Sequence, residues 1–515
     1  MIINYSLSLM IILFLGVLII GTGIHGDDLT EIMKMSSMSW GDFFNLDPNI
    51  HGHYVFGIPA HFILFWAYKV FDFSQPIAFE LLKIFFHYLS IFFVFRYFQQ
   101  YCDEAKSLMI ALIFVLIPIH DATTYWYMAL VYIFPASVIM FASYLLNQNK
   151  LLHSAAFNLI GSTFFYTAVP FALGISSIYL YKKEFRKFFI FIAPSIIYII
   201  YYLSMSLFFD GIERKIESEL SIFSFLKNIL GQIITLLDST AGISFILKIL
   251  AGLSYLNKFS IFVVLIFSFF IIKISSKSPR RMHSNKEIYL IGIFVIFFSI
   301  MVFALSDRYF HSTFNLGNRS LTYASLLFAI VLTKLMALNR AALVIVGSIL
   351  FATTLGNSIY WKKSWTHQSQ LINEIQSNQE IISLPENTIL IVFDNGYIKQ
   401  NMFENTEFLR MPWNLRAIFS MHEQVTPVFA SSDLKIESEL IIDTKFSEKT
   451  KITENIFLYF SDENEIHKAS IDQLSLYLRG LVPPKRHWLQ TLDNQNVENI
   501  ILKVSPRLEY LFRDE

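Results

Sequence analysis

This sequence holds a single cysteine, Cys102, in 515 residues. No disulfide framework and no Cys-based metal site can form within the chain. Charge is also scarce. Asp, Glu, Lys and Arg make up 16% of the residues, against roughly a quarter in soluble domains. Basic and acidic residues balance at 40 each and no basic tail stands out, so nothing points to nucleic acid as a partner. Heptads, solenoid repeats and low-complexity tracts are missing. The first apolar run lacks a basic n-region and no A-x-A-like site follows it. It therefore reads as a retained first span rather than a cleaved signal peptide.

What is abundant is apolar. Hydrophobic residues make up 54% of the chain, aromatics 17%, and mean hydropathy is +0.50. Apolar runs of roughly 17–25 residues recur up to about residue 360, the pattern of an α-helical polytopic membrane protein. Basic clusters at Arg96 and Lys106, Lys150, KKEFRK (182–187), KSPRR (277–281) with Lys286, and Lys334 with Arg340 can all lie in the cytoplasm together. That solution has about eleven spans: 4–24, 77–98, 107–120, 125–146, 151–165, 167–181, 188–209, 258–275, 288–306, 320–337 and 341–360. The N-terminus is then cytoplasmic and the C-terminus extracytoplasmic. Residues 54–71 lie along the outer interface or re-enter. In 221–254, polar Lys227, Gln232, Thr235 and Asp238 recur at helical spacing, the mark of an amphipathic interfacial helix.

Composition divides the chain at Trp361. Residues 1–360 form the membrane domain, with a first outer loop at 25–76. Residues 361–515 form a small soluble α/β domain on the extracytoplasmic side. Its strand-like runs are 387–394, 437–443, 456–460 and 499–504. It shows no Ser/His/Asp or Gly-rich phosphate signature, so no separate catalytic centre is expected there.

Polar residues gather at the outer ends of the spans. Asp27 and Asp28 follow span one, and Asp121 follows span three. A carboxylate at that boundary is partly desolvated, which raises its pKa and improves it as a base. The bland alternative is that such charges mark loop ends. His25, His51, His53, His61, His120 and His311 fall in the same regions, so a His/Asp metal site is conceivable, although His51-x-His53 matches no strong motif. A divalent cation, Mg or Mn, held by Asp28 and Asp121 is the cofactor open to this set. Arg319 and Arg308 flank a late outer loop, where a guanidinium suits a lipid phosphate or serves as an interfacial anchor. Glu80 and Lys83, one turn apart, are expected to pair. Trp40, Phe43, Phe44, Tyr54, Tyr125, Trp126 and Tyr127 read as an aromatic belt. Trp40, Tyr125 or Trp126 could instead stack on a sugar.

The arrangement resembles the GT-C superfamily of integral-membrane glycosyltransferases that use polyprenyl-phosphate-linked sugars. The likeness rests on GDDL (26–29) in a long first outer loop, Asp121 in IPIHDATTYWYM (117–128), a late-loop Arg and a terminal soluble domain. It covers the topology of the whole chain, while its letters are few. The WWDYG-type motif of oligosaccharyltransferases is lacking, and FDNGY (393–397) is not equivalent. The resemblance implies a polyprenyl-phosphate-linked sugar donor and a glycan, lipid or protein acceptor. The catalytic residues would be Asp27, Asp28 and Asp121. Arg319, Arg308, His51, His53, His120 and Trp126 would bind substrate. An O-antigen-type polymerase, a lipid-linked-glycan flippase or transporter, and an inactive scaffold stay open as alternatives. The Ile, Phe and Lys bias points to a bacterium, hence to its cytoplasmic (inner) membrane.

Overall fold

Long apolar runs fold as helices because, without water, each backbone N–H and C=O must be satisfied within its own segment. The computed structural model describes residues 5–45, 56–208, 221–276, 286–305, 311–394, 397–481, 485, 487–492, 495–504 and 506–512. It is mostly helical, with a small C-terminal sheet region. The main helices of the first part are α1 (Tyr5–Ile19), α2 (Asp28–Ser37), α3 (Pro76–Phe98), α4 (Glu104–Leu116), α5 (Leu130–Asn147), α6 (Leu151–Ser162) and α7 (Ala168–Tyr181). They continue as α8 (Phe185–Phe208), α9 (Ile222–Ala241), α10 (Ile243–Ser254), α11 (Lys258–Ser276), α12 (Lys286–Ala304), α13 (Thr322–Leu338) and α14 (Arg340–Ser377). Among the described residues, six helical stretches are long and apolar enough to cross a membrane: 76–98, 130–147, 185–204, 222–254, 286–304 and 344–377. Ser6–Ile19 and Ala168–Tyr181 are shorter apolar helices. Residues 151–181 form two helices, and 58–70 are helical with a π-turn at His61–Phe65.

The helices α9 and α10 are built inside out. On α9, Asn228, Gln232, Thr235 and Ser239 are buried, while Ile222, Leu226, Leu230 and Leu237 are exposed. On α10, Ser244 and Lys248 are buried, while Ile243, Ile246 and Leu250 are exposed. The polar stripe expected to face an aqueous interface therefore faces protein. An apolar outer face suits lipid, because only there does exposed Leu or Ile cost nothing. Lys227 stands outside the stripe, over the Phe223 ring at 4.7 Å.

Where α10 crosses α14 the backbones touch. A Cβ on Gly356 would sit 1.8 Å from the carbonyl oxygen of Gly252. Small residues permit such crossings in apolar surroundings, where van der Waals packing replaces the hydrophobic drive.

Residue 361 is a boundary of composition alone. The helix α14 runs without a break from Arg340 to Ser377 and carries the chain into the C-terminal part. There, β1 (Thr388–Phe393) pairs in parallel with β4 (Val425–Phe429) and with β8 (Ile456–Phe460), and β9 (Glu465–Lys468) completes the sheet antiparallel to β8. The strand order is β4-β1-β8-β9. Separate ladders join β2 (Tyr397–Gln400) to β3 (Phe403–Glu407), and β5 (Leu434–Glu437) to β6 (Leu440–Asp443) to β7 (Glu448–Lys451). The run 437–443 is broken at Ser438, whose φ of 55° makes a tight turn between β5 and β6. The run 499–504 is not a strand. It ends a helix, Gln495–Val504, because Val497 and Ile501 stand four apart and pack together against Leu489, Leu508 and Leu511.

The two parts interlock. Helix α15 (Pro412–Ile418) lies on α2, and Thr30 Oγ1 donates to Asn414 Oδ1 at 2.7 Å. The β2–β3 hairpin packs Phe403 on Phe314, ring centroids 4.7 Å apart, while Asn405 Oδ1 accepts from the Asn315 N–H at 2.6 Å.

Gly356→Leu should therefore force α10 and α14 apart. We expect a loss of roughly 1–3 kcal/mol or more from overpacking, read as an earlier thermal transition in detergent. An exposed-face control, Leu250→Ala, should stay close to wild type.

Candidate functional site

After α1 the chain turns sharply, with positive φ at Gly21, Gly23 and Gly26. Gly26 (φ 52°) also packs on an indole: an added Cβ would lie 3.0 Å from Cε2 of Trp126 and 3.1 Å from Cδ1 of Leu316. His25 Nε2 donates to the Thr22 carbonyl at 2.6 Å. Burial, then the Lys83 ammonium, pushes the His25 pKa down to about 3, so the ring is neutral.

Asp28 is buried and held by three donors. Its Oδ1 accepts from the Tyr68 hydroxyl at 2.7 Å and from the Met128 N–H at 3.0 Å, and its Oδ2 accepts from the His25 N–H at 3.2 Å. Burial still pushes its pKa up to about 6 against those bonds. Asp27 is half-buried, and its Oδ1 accepts from Trp413 Nε1 at 2.7 Å. The acidic pair is thus split: one carboxylate is locked inward, and the other meets the C-terminal domain. Glu80 and Lys83 do not pair directly. Glu80 Oε1 accepts from the Gly23 N–H at 2.7 Å. Lys83 Nζ donates to Gly23 O, Thr22 Oγ1 and Tyr125 O at 2.7–2.8 Å. Together they clamp the two peptides that flank Gly23 in the turn.

Asp121 lies at the same end of the bundle. Its Oδ2 takes Lys248 Nζ and Trp361 Nε1, each at 3.0 Å, and its Oδ1 accepts from Asn318 Nδ2. Lys248 donates onward to Gln400 Oε1 at 2.8 Å, and Gln400 Nε2 donates to Asn357 Oδ1 at 2.7 Å. All of these side chains are buried. Trp361 joins the two acidic regions, since its ring lies 4.6 Å from that of His25 while its N–H holds Asp121. The sequence reading missed Lys248, Trp361, Asn318, Gln400 and Trp413. One signal was present: a lone lysine inside the apolar run ISFILKILAGLS, since such a residue within a span marks a functional or paired site by default.

Arg319 stacks on Trp126, with Cζ 4.8 Å from the ring centroid, and donates to the Tyr132 hydroxyl at 3.2 Å and to Leu316 O at 2.7 Å. Trp126 is 3% exposed, and its buried Nε1–H has no hydrogen-bond partner among the described residues. Tyr125 and Tyr127 are fully buried, so with Trp126 they are interior packing and not an aromatic belt. Trp40 and Phe44 are exposed. His120 is enclosed, bonded to Thr123 Oγ1 at 2.7 Å and Phe114 O at 3.0 Å. His61 bonds Phe43 O, and His311 bonds Thr235 and Tyr323. His51, His53 and Arg308 lie outside the described residues. Among the described residues, no three His, Cys, Asp or Glu side chains converge as metal ligands. The donors around Asp28 and Asp121 are N–H and O–H groups or an ammonium, which suit a carboxylate and compete with a cation.

Removing one partner of a buried ion pair leaves an uncompensated charge, so Lys248→Met should destabilise the protein by roughly 3–5 kcal/mol. Lys248→Met with Asp121→Leu should recover part of that loss in detergent thermal melts. A double variant no better than the single one would deny the pairing. Asp28 gives a pH test. Its carboxyl holds a proton more tightly in the fold (about 6) than at its ordinary value (3.8). The stability it contributes thus falls as pH rises through that window. The melting temperature of wild type should therefore drop relative to Asp28→Asn between those values, and parallel profiles would count against it. No known protein family matches this chain, and neither does a curated protein or a solved structure.

Proposed function

We propose that the chain is a membrane glycosyltransferase of the GT-C kind, which moves a sugar from a polyprenyl-phosphate donor to an acceptor hydroxyl. In this reading about eleven spans cross the inner membrane of a bacterium, with the N-terminus in the cytoplasm and the C-terminal domain outside. The end of the bundle that carries Asp27, Asp28, Asp121 and Arg319 then faces the extracytoplasmic side, at headgroup depth.

One observation carries the reading. Gly26, beside the acidic pair, packs on the Trp126 indole that Arg319 stacks against. The backbone next to Asp27 and the Arg319 guanidinium therefore lie against one indole. Arg319 takes the donor phosphate, and the unpartnered Trp126 Nε1–H is a second donor to its oxygens. Asp27, the less buried acid, accepts the acceptor hydroxyl's proton as that oxygen bonds to the anomeric carbon. The bond from that carbon to the phosphate oxygen breaks, and the electron pair leaves with the polyprenyl phosphate. A single in-line displacement inverts the anomeric centre. Asp28 holds the turn that presents Asp27, and Asp121 holds the adjoining loops.

The test uses full-length protein in liposomes loaded with radiolabelled undecaprenyl-phosphate hexoses and a cell-envelope glycan extract. Wild type should release undecaprenyl phosphate and label the extract. Asp27→Asn should slow transfer by about 10²–10⁴-fold, the usual worth of a placed base, with membrane insertion unchanged. Near-normal transfer in Asp27→Asn would sink the assignment. Movement of intact labelled lipid across the bilayer would instead identify a flippase, and a ladder of joined repeat units would identify a polymerase.

A further inference from the structure

The far end of the bundle carries a cluster of cations that the reaction above does not use. Helix α5 starts just after Met128, whose N–H holds Asp28, and runs 18 residues to Asn147. At 1.5 Å per residue that is about 27 Å. The hydrocarbon core of a bilayer is about 30 Å thick. The end of α5 therefore lies at the opposite headgroup level from the acidic pair.

Helices α6 and α8 start at that level, side by side. Asn158 Nδ2 of α6 donates to Phe191 O of α8 at 2.6 Å. Lys187 Nζ, in the first turn of α8, donates to Asn147 Oδ1 at the end of α5 at 3.5 Å. Lys150 immediately precedes α6, Lys183 stands just before α8, and Arg186 lies in the first turn of α8. All three are exposed, and none has a carboxylate partner among the described residues. The acids of the neighbouring helix starts are already taken. Glu184 pairs with Lys187 at 2.8 Å, and Glu287, at the start of α12, pairs with Lys182 at 2.6 Å. Positive charge is left over.

Apolar surface adjoins that charge on the same two helices. Leu152 is 80% exposed and Phe189 65%, with Phe185 exposed between Lys183 and Phe189. Aliphatic and aromatic groups bared to that extent fit acyl chains rather than water. A free phosphate or a nucleic acid would use the cations and gain nothing from Leu152 or Phe189. A zwitterionic phospholipid would bring its own cation among three that lack a counterion. An anionic phospholipid uses both parts: its phosphate meets the ammonium and guanidinium groups, and its chains run along the exposed apolar side chains.

We infer that Lys150, Lys183 and Arg186 form a binding site for an anionic phospholipid, in the leaflet opposite Asp27. The inference needs the bundle to span a bilayer; it does not rest on the transferase reading.

The full chain is delipidated in detergent and titrated with phosphatidylglycerol, cardiolipin and phosphatidylcholine, and bound lipid is counted by native mass spectrometry. Phosphatidylglycerol or cardiolipin should bind, and excess phosphatidylcholine should not displace it. A cation at the membrane surface is worth about fivefold in binding. The triple variant Lys150→Gln, Lys183→Gln, Arg186→Gln should therefore bind on the order of a hundredfold more weakly, with an unchanged melting curve. The control Lys449→Gln, Lys451→Gln, Lys468→Gln removes the same charge from exposed positions of the C-terminal domain and should bind as wild type does. Equal binding of phosphatidylcholine, binding retained by the first triple variant, or an equal loss in the control would overturn the inference. So would displacement of the lipid by glycerol phosphate, which would mark a site for free phosphate.

Discussion

A carboxylate and an ammonium cannot stay charged inside an apolar bundle unless each is the other's counterion. Asp121 and Lys248 meet that condition at 3.0 Å, both fully buried. Much of the surrounding structure follows from it. The pair needs further donors and acceptors, and these come from Asn318, Trp361 and Gln400, in three stretches of chain apart from those of Asp121 and Lys248. Five segments are thus pinned at one point. The loop that carries Arg319, the long helix α14 and the β2–β3 hairpin are all fixed relative to Asp121. The close crossing of α10 and α14 at Gly252 and Gly356 sets Lys248 beside the Asp121 carboxylate that Trp361 of α14 also holds.

Around that fixed point the acidic pair takes two different environments. Asp28 lies below the surface with three donors, and its carboxyl is hard to ionise. Asp27 lies at the rim and meets an indole from the C-terminal domain. Two carboxylates adjacent in sequence therefore stand in different surroundings in space, one buried among donors and the other at the rim. The C-terminal domain does more than rest on the bundle. It supplies Gln400 to the buried network and Trp413 to Asp27.

Much of this was legible in the residues. Apolar runs and the shift of composition near residue 361 gave the helical bundle and the mixed terminal part, since both depend on local sequence alone. The helix that passes through Trp361 was not legible, because a helix changes from apolar to polar surroundings without any break in its hydrogen bonds. NIILKV (499–504) looked like a strand because a short apolar run fits either period. Val497, outside the run, decided for the helix by packing with Ile501 on Leu508. In α9 the helical spacing of polar residues was evident. Which side they faced was not, since the same stripe serves an aqueous surface or a protein interior.

The sequence by itself determined that this chain is rich in long apolar helices and that its carboxylates cluster at helix ends, because hydrophobicity and span length are properties of consecutive residues. Only the tertiary structure decided which of those carboxylates is neutralised, by which cation, and which stays near the surface. Lys248 and Asp121 stand 127 positions apart. No local pattern records that they meet; the packing of α10 against α14, with the loop from 117 to 129 above them, brings them together.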